Sequence, residues 1–163
     1  MTAIWTTPRT WVASELLTAA LLNAHVRDNL DWMKTPPSNS YALKNLSATL
    51  TTTSTSFGDA DATNLSLTIT TVGGPVLIVF SGAVGNSGAN TTYLDITVDG
   101  TRQGDTTIGI TSALSGAGSI LPTTIVFVTA ALAAGSHTFK IQWRVTAGTG
   151  SLYKNGQFYV REF

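Results

Sequence analysis

From Leu43 to its end the chain repeats one signal: short runs with an apolar residue at every second position. Leu65-Ser66-Leu67-Thr68-Ile69, Leu94-Asp95-Ile96-Thr97-Val98 and Phe139-Lys140-Ile141-Gln142-Trp143-Arg144-Val145 all alternate in this way. Successive side chains of a strand point to opposite faces, so each run describes a strand with one buried and one wetter face. Turn formers separate the runs at Val72-Gly73-Gly74, Asn86-Ser87-Gly88, Asp99-Gly100, Ala134-Gly135-Ser136 and Asn155-Gly156. The Asp-Gly and Asn-Gly pairs predict two-residue hairpin turns with positive φ. Roughly eight strands at such spacing predict a mainly β fold, a single β-sandwich or jelly roll. The sequence shows no short internal repeat, which argues against a β-helix or propeller.

Two runs break the alternation. Pro75-Val76-Leu77-Ile78-Val79-Phe80 and Ile120-Leu121-Pro122-Thr123-Thr124-Ile125-Val126-Phe127-Val128 are apolar at both parities. Strands of this kind lie at the centre of a sandwich or beneath a neighbouring subunit.

Ahead of the strands the pattern changes. Leu22, Val26, Leu30 and Met33 recur at spacings of four and three, one stripe of a helix, which Leu17, Leu21 and Trp32 widen. Ser14 and Thr18 are both candidate N-caps, and Pro36-Pro37 ends the helix. Four or five turns (~4–5) with one apolar face are not stable alone in water, so the helix must dock on something. Arg27, Asp28 and Asp31 are expected on its wet side. Residues 1–12 carry Trp5, Pro8 and Trp11 among threonines and make neither a helical nor a strand face. They read as an extended arm whose indoles need cover from the chain's own body or from another protein. The expected organisation is an arm and helix over residues 1–34, a linker over 35–42 and a β-domain over 43–163.

A chain of 163 residues with 43% hydrophobic side chains can bury one substantial core. Its nine basic and nine acidic residues cancel, leaving no field that would gather nucleic acid or an anionic membrane. Without cysteine the fold is held by packing alone. The start, Met1-Thr2-Ala3-Ile4-Trp5, has no basic segment followed by an apolar one, so synthesis in a cytoplasm without export is expected. The sequons at Asn45, Asn64 and Asn90 then read as chance matches in a Ser/Thr-rich chain.

No constellation for chemistry emerges, and neither catalysis nor a cofactor is expected. His25 and His137 have no second histidine or carboxylate at ligand spacing. No Gly-x-Ser-x-Gly elbow supports a serine nucleophile. Asp59, Asp61 and Asn64, and separately Asp95 and Asp99, are oxygen-rich, yet they lack a calcium-loop pattern and read as turn residues. Gly82, Gly85 and Gly88 follow a strand without a Gly-Lys-Ser/Thr signature, which rejects a phosphate cradle. Arg102, Lys140, Arg144 and Lys154 are dispersed and mark no nucleic-acid face. A glycan depolymerase needs paired carboxylates, and the only glutamates are Glu15 and Glu162.

The stretch from Thr10 to Leu30, with Thr10-Trp11-Val12, Glu15, Thr18-Ala19-Ala20, Leu22-Asn23 and His25-Val26-Arg27-Asp28-Asn29-Leu30, resembles an N-terminal motif of tailed-phage virion proteins. Those are minor tail, tail fibre, head-fibre or decoration proteins. Ser14 departs from the motif, where glycine is expected. The likeness implies a virion protein attached to capsid or tail proteins through Trp5, Trp11, Leu22, Val26, Leu30 and Met33. The β-part is similar in pattern to C1q/TNF-like jelly rolls, on Gly74-Pro75-Val76-Leu77-Ile78-Val79-Phe80-Ser81-Gly82, Val98-Asp99-Gly100, the run from Leu132 to Trp143 and the closing Phe158-Tyr159-Val160-Arg161-Glu162-Phe163. That likeness implies a homotrimer on the virion surface. Val76, Ile78, Phe80, Phe127, Trp143 and Phe158 are the expected trimer contacts. The alternative is a receptor- or glycan-binding fibre tip, with contact loops at 85–91 and 146–153.

Overall fold

A computed structural model describes residues 6–34 and 41–163. The chain divides into two compact units between Asn39 and Ser40. In the first, α1 (Ala19–Leu22), a π turn (Asn23–Arg27) and α2 (Asp28–Lys34) follow one another as a continuous helix. Thr18 is the N-cap, not Ser14: its hydroxyl accepts the N–H of Leu21 at 3.3 Å.

The second unit has twelve strand segments: β1 (Tyr41–Asn45), β2 (Leu50–Thr52), β3 (Gly58–Asp59), β4 (Ser66–Thr71), β5 (Val76–Asn86), β6 (Asn90–Val98), β7 (Thr101–Arg102), β8 (Thr111–Ser115), β9 (Ile120–Val128), β10 (Gly135–Val145), β11 (Gly150–Leu152) and β12 (Gln157–Glu162). Eight ranks result, because four ranks are built from two segments each. The first sheet places β1 and β2 beside β12 and β11, then β5, then β9. The second places β3 and β4 beside β10, then β6, then β7 and β8. All pairs are antiparallel. β1 pairs with β12, β4 with β10, β5 with β9 and β6 with β8, so the outermost partners in sequence meet first and the innermost last. This rolled set of pairs is a jelly roll, and the mainly β expectation holds.

β1 begins at Tyr41, two residues inside the stretch expected as linker. The prolines of that stretch lie outside the described residues, as do Trp5 and the side chain of Trp32. The two hairpin signals have different outcomes. Asp99 (φ 50°) and Gly100 (φ 82°) form the turn between β6 and β7, both positive as the right-handed twist of a tight hairpin demands. Asn155-Gly156 makes no hairpin. β11 and β12 both run along the same edge of β5, and only Asn155 takes positive φ (72°). The pair is a bulge within one long rank, pinned by Asn155 N–H to Leu46 O at 2.8 Å and Leu46 N–H to Gly156 O at 2.7 Å.

The core lies between the sheets, around the fully buried Phe80, Phe139 and Phe158. Val76, Ile78, Phe80, Trp143 and Phe158 all belong to it, each 4% exposed or less. This overturns their expected role as trimer contacts, since their parity points them at the opposite sheet of the same chain. Phe127 is partly buried and packs against the same core.

Two carboxylates are fully buried. Asp95 holds Arg102 (2.7 Å) and the N–H groups of Ile96 and Gly104. Glu162 accepts the N–H groups of Val72, Gly73 and Gly74 at 2.7–3.1 Å, gathering the turn between β4 and β5 around one anion. We expect Glu162→Ala to cost about 3–5 kcal/mol, the scale of orphaning several buried donors of a charge-assisted cluster, measured as a fall in the urea midpoint.

Candidate interaction surfaces

In the first unit the chain from Thr6 folds back on the helix. Asn29, 7% exposed, uses its carboxamide as a neighbouring strand would: Oδ1 accepts the N–H of Thr6 and Nδ2 donates to the carbonyl of Thr6, both at 2.8 Å. Glu15 fastens the next bend. Its carboxylate meets Arg9 at 2.5 Å and the N–H of Val12 at 3.3 Å, while its own N–H closes the turn onto Val12 O. Ser14 sits third in that turn with φ 66°, the one positive position of a type II turn, which explains why glycine is the expected residue there. Trp11 lies edge-on to His25, with centroids 5.9 Å apart, beneath the Arg9 guanidinium. The Trp11 indole is thus covered in part by its own unit, and the described part of the arm, from Thr6, is tied to the helix.

Asn29 and Glu15 belong to the phage-like stretch, but periodicity assigns neither of them a role. The available signal was the 4-3-4 spacing of Leu22, Val26, Asn29 and Met33, which sets a polar residue inside an apolar stripe and so calls for a local partner. With the polar residues bonded internally, the apolar ones are left outward. Leu17, Leu22, Val26, Leu30 and Met33 are 43–58% exposed. An open groove of about 370 Å³ runs beside them between Trp11, Val12, Leu17, Leu22 and Val26.

The two sheets of the second unit have unlike outer faces. β10 turns Thr138, Lys140, Gln142 and Arg144 outward beside Ser66, Thr68 and Tyr93. Lys140 and Gln142 bind Asp59, which holds that carboxyl below its usual range. Arg144 lies over Tyr93 and Phe57 and donates to Thr107 O and Thr55 O. On the first sheet, register aligns two rows across all four ranks: the apolar Leu43, Tyr159, Val79 and Val126 in one, and Tyr41, Leu77 and Val128, interrupted by the charged Arg161, in the other. Leu43 is 51% exposed and Val126 66%. Ile120 adds further apolar surface on the edge strand β9.

The oxygen-rich loops are internally satisfied. Asp61 accepts Thr63 N–H, Asn64 N–H and the Asn64 amide, the Asn64 backbone bond doing most to keep its carboxyl low. No group of three metal-ligating side chains forms among the described residues. The two loops weighed as receptor contacts meet at one end of the sandwich and bond each other: Asn86 to Ala147 O, Ser87 N–H to Thr149 O, and Thr91 N–H to the Thr146 hydroxyl. They lie at the far end of β5 from Tyr41.

No protein-family model matches this chain, and no curated protein matches it. Among solved structures, it is similar to Eiger TNF from S. frugiperda (TM-score 0.42, 13% identity, covering 77% of this chain and 94% of that one). It is also similar to a structure of infectious bursal disease virus, Gt strain (TM-score 0.41, 10% identity, 75% of this chain and 31% of that one). A third is a carbohydrate-binding module of Cellvibrio mixtus lichenase 5A in complex with cellotriose (TM-score 0.34, 18% identity, 75% and 97%). The jelly-roll assignment rests on the strand pairing above.

Two variants check the first unit in the full chain. Asn29→Ala is expected to free the arm, accelerating tryptic cleavage after Arg9. Ser14→Gly is expected to slow it, because relieving a left-handed serine is worth about 1 kcal/mol.

Proposed function

We propose that this chain is a non-enzymatic structural protein of a tailed-bacteriophage virion, a trimeric surface knob fixed to the head or tail by residues 1–34. The observation that carries this reading is the division of labour in the first unit. Within the phage-like motif Asn29 bonds the arm to the helix and Glu15 fastens the bend before it, while Leu22, Val26 and Leu30 face outward. Such a module is preformed to dock, with about the side-chain chemistry of a protein interface core.

The trimer is supported by the first sheet's outer face. A closed ring needs two different patches that meet, and the apolar rows at Leu43 and Tyr159 lie on the opposite side of that face from the edge-strand residues Ile120, Val126 and Val128. Exposed apolar area of this extent on one face, beside a polar second sheet, marks an interaction surface.

Light scattering of the recombinant chain is expected to return the mass of three 17.1 kDa copies. Leu43→Arg with Val126→Arg is expected to give a folded monomer, since both side chains are already more than half exposed. Wild-type monomer at micromolar concentration defeats the trimer. Deletion of residues 1–34 is expected to leave the knob assembled and absent from purified particles; normal incorporation of the deleted chain defeats the anchoring role. A glycan array on the same material separates the receptor-binding alternative, for which a specific signal is required.

A further inference from the structure

The end of the sandwich where β1 begins is closed by polar side chains. Thr71, His137 and Glu162 share the inward parity of Ile69, Phe139 and Val160. Glu162 holds the 72–74 turn, as above. Thr71 donates its hydroxyl to Ala133 O at 2.7 Å, and Thr129 accepts Val76 N–H at 2.9 Å. His137 completes the closure, with Nδ1 at 2.7 Å from Asp99 Oδ2 and Nε2 at 2.8 Å from Ala133 O. A carboxylate and a carbonyl only accept, so the ring satisfies both when each nitrogen carries hydrogen. A neutral imidazole has one N–H and leaves a lone pair facing an oxygen.

We propose that His137 is a protonation latch: as imidazolium it ties the 129–134 loop and the Asp99-Gly100 turn to β10, and on deprotonation it releases the loop. Asp99, from the β6–β7 turn, keeps the remaining N–H because a bond to a carboxylate is the stronger of the two. The freed group is Ala133 O, retained by Thr71 alone. The loop leads out of β9, so the release acts at the end of the strand that carries Val126 and Val128. This holds whether the chain is a monomer or a trimer.

The charged groups set against the ring are Asp99 and, from β12, Glu162. Both are acidic. The Asp99 bond first, then the Ala133 carbonyl, hold His137 above the ordinary histidine value of 6.5. In return His137, then the Thr138 N–H, hold Asp99 below 3.8. The raised histidine gives stability that is complete below pH 6.5 and lost as pH rises through its folded value. The lowered carboxyl gives stability present above 3.8 and lost as pH falls through its folded value. The latch is therefore closed between the folded values of Asp99 and His137 and opens as pH rises through that of His137.

The test is an NMR titration of the His137 ring in the full chain, assigned with His25→Gln, beside hydrogen exchange of residues 130–134 corrected for intrinsic rates. The expected midpoint lies above 6.5 and moves down in Asp99→Asn. Protection of the Leu132 amide, bonded to Gly74 O, is expected to fall about fivefold through that midpoint, the loss of one hydrogen bond. His137→Gln should show no such step. A midpoint at or below 6.5, or protection that stays flat through the titration, overturns the latch; both readouts on the unaltered chain remain decisive if a variant does not fold.

Discussion

The β-domain depends on β5. It is bonded along both edges, to β12 and β11 on one side and β9 on the other, and it carries apolar side chains at both parities. Its even-numbered residues Val76, Ile78, Phe80 and Val84 fill the gap between the sheets, where burial of each large side chain is worth roughly 1.5–3 kcal/mol. Its odd-numbered residues Leu77 and Val79 face away from that gap. A central strand of this composition makes the outer face of its sheet apolar by construction. β10, the corresponding centre of the other sheet, alternates, and its outer face is polar.

The same separation recurs in the first unit. Thr18, Glu15 and Asn29 are occupied with the cap, the bend and the returning arm, and the His25 ring packs edge-on against Trp11, while the aliphatic side chains between them face outward. Internal polar fastening substitutes for a core in a segment too small to have one.

Charge is scarce in this chain, and what there is has structural work close at hand. Both glutamates accept backbone N–H bonds, Glu15 at a turn and Glu162 in the closed end of the sandwich. Buried Asp95 is matched by Arg102, whose guanidinium stacks 3.7 Å over Phe57. Removing one member of such a set leaves a buried charge uncompensated, so these few residues hold loops that hydrophobic packing does not reach.

Local pattern determined the strands, the helix, the cap chemistry and the left-handed turn at Asp99-Gly100, because period and backbone preference act over a few residues. It also marked β5 and β9 as unusual. Which of their apolar residues face inward was decided by the second sheet, since parity acquires a meaning only when something lies on one side. Hence Val76, Ile78, Phe80, Trp143 and Phe158 turned out to be interior, and Leu43, Val79 and Val126 outward. Asn155-Gly156 carries the same local signal as a hairpin, yet both flanks continue along β5 and the pair became a bulge. Asn29 found its partner at Thr6, far along the chain. A contact of that range closes only when its own unit has folded, and no short window of sequence contains it.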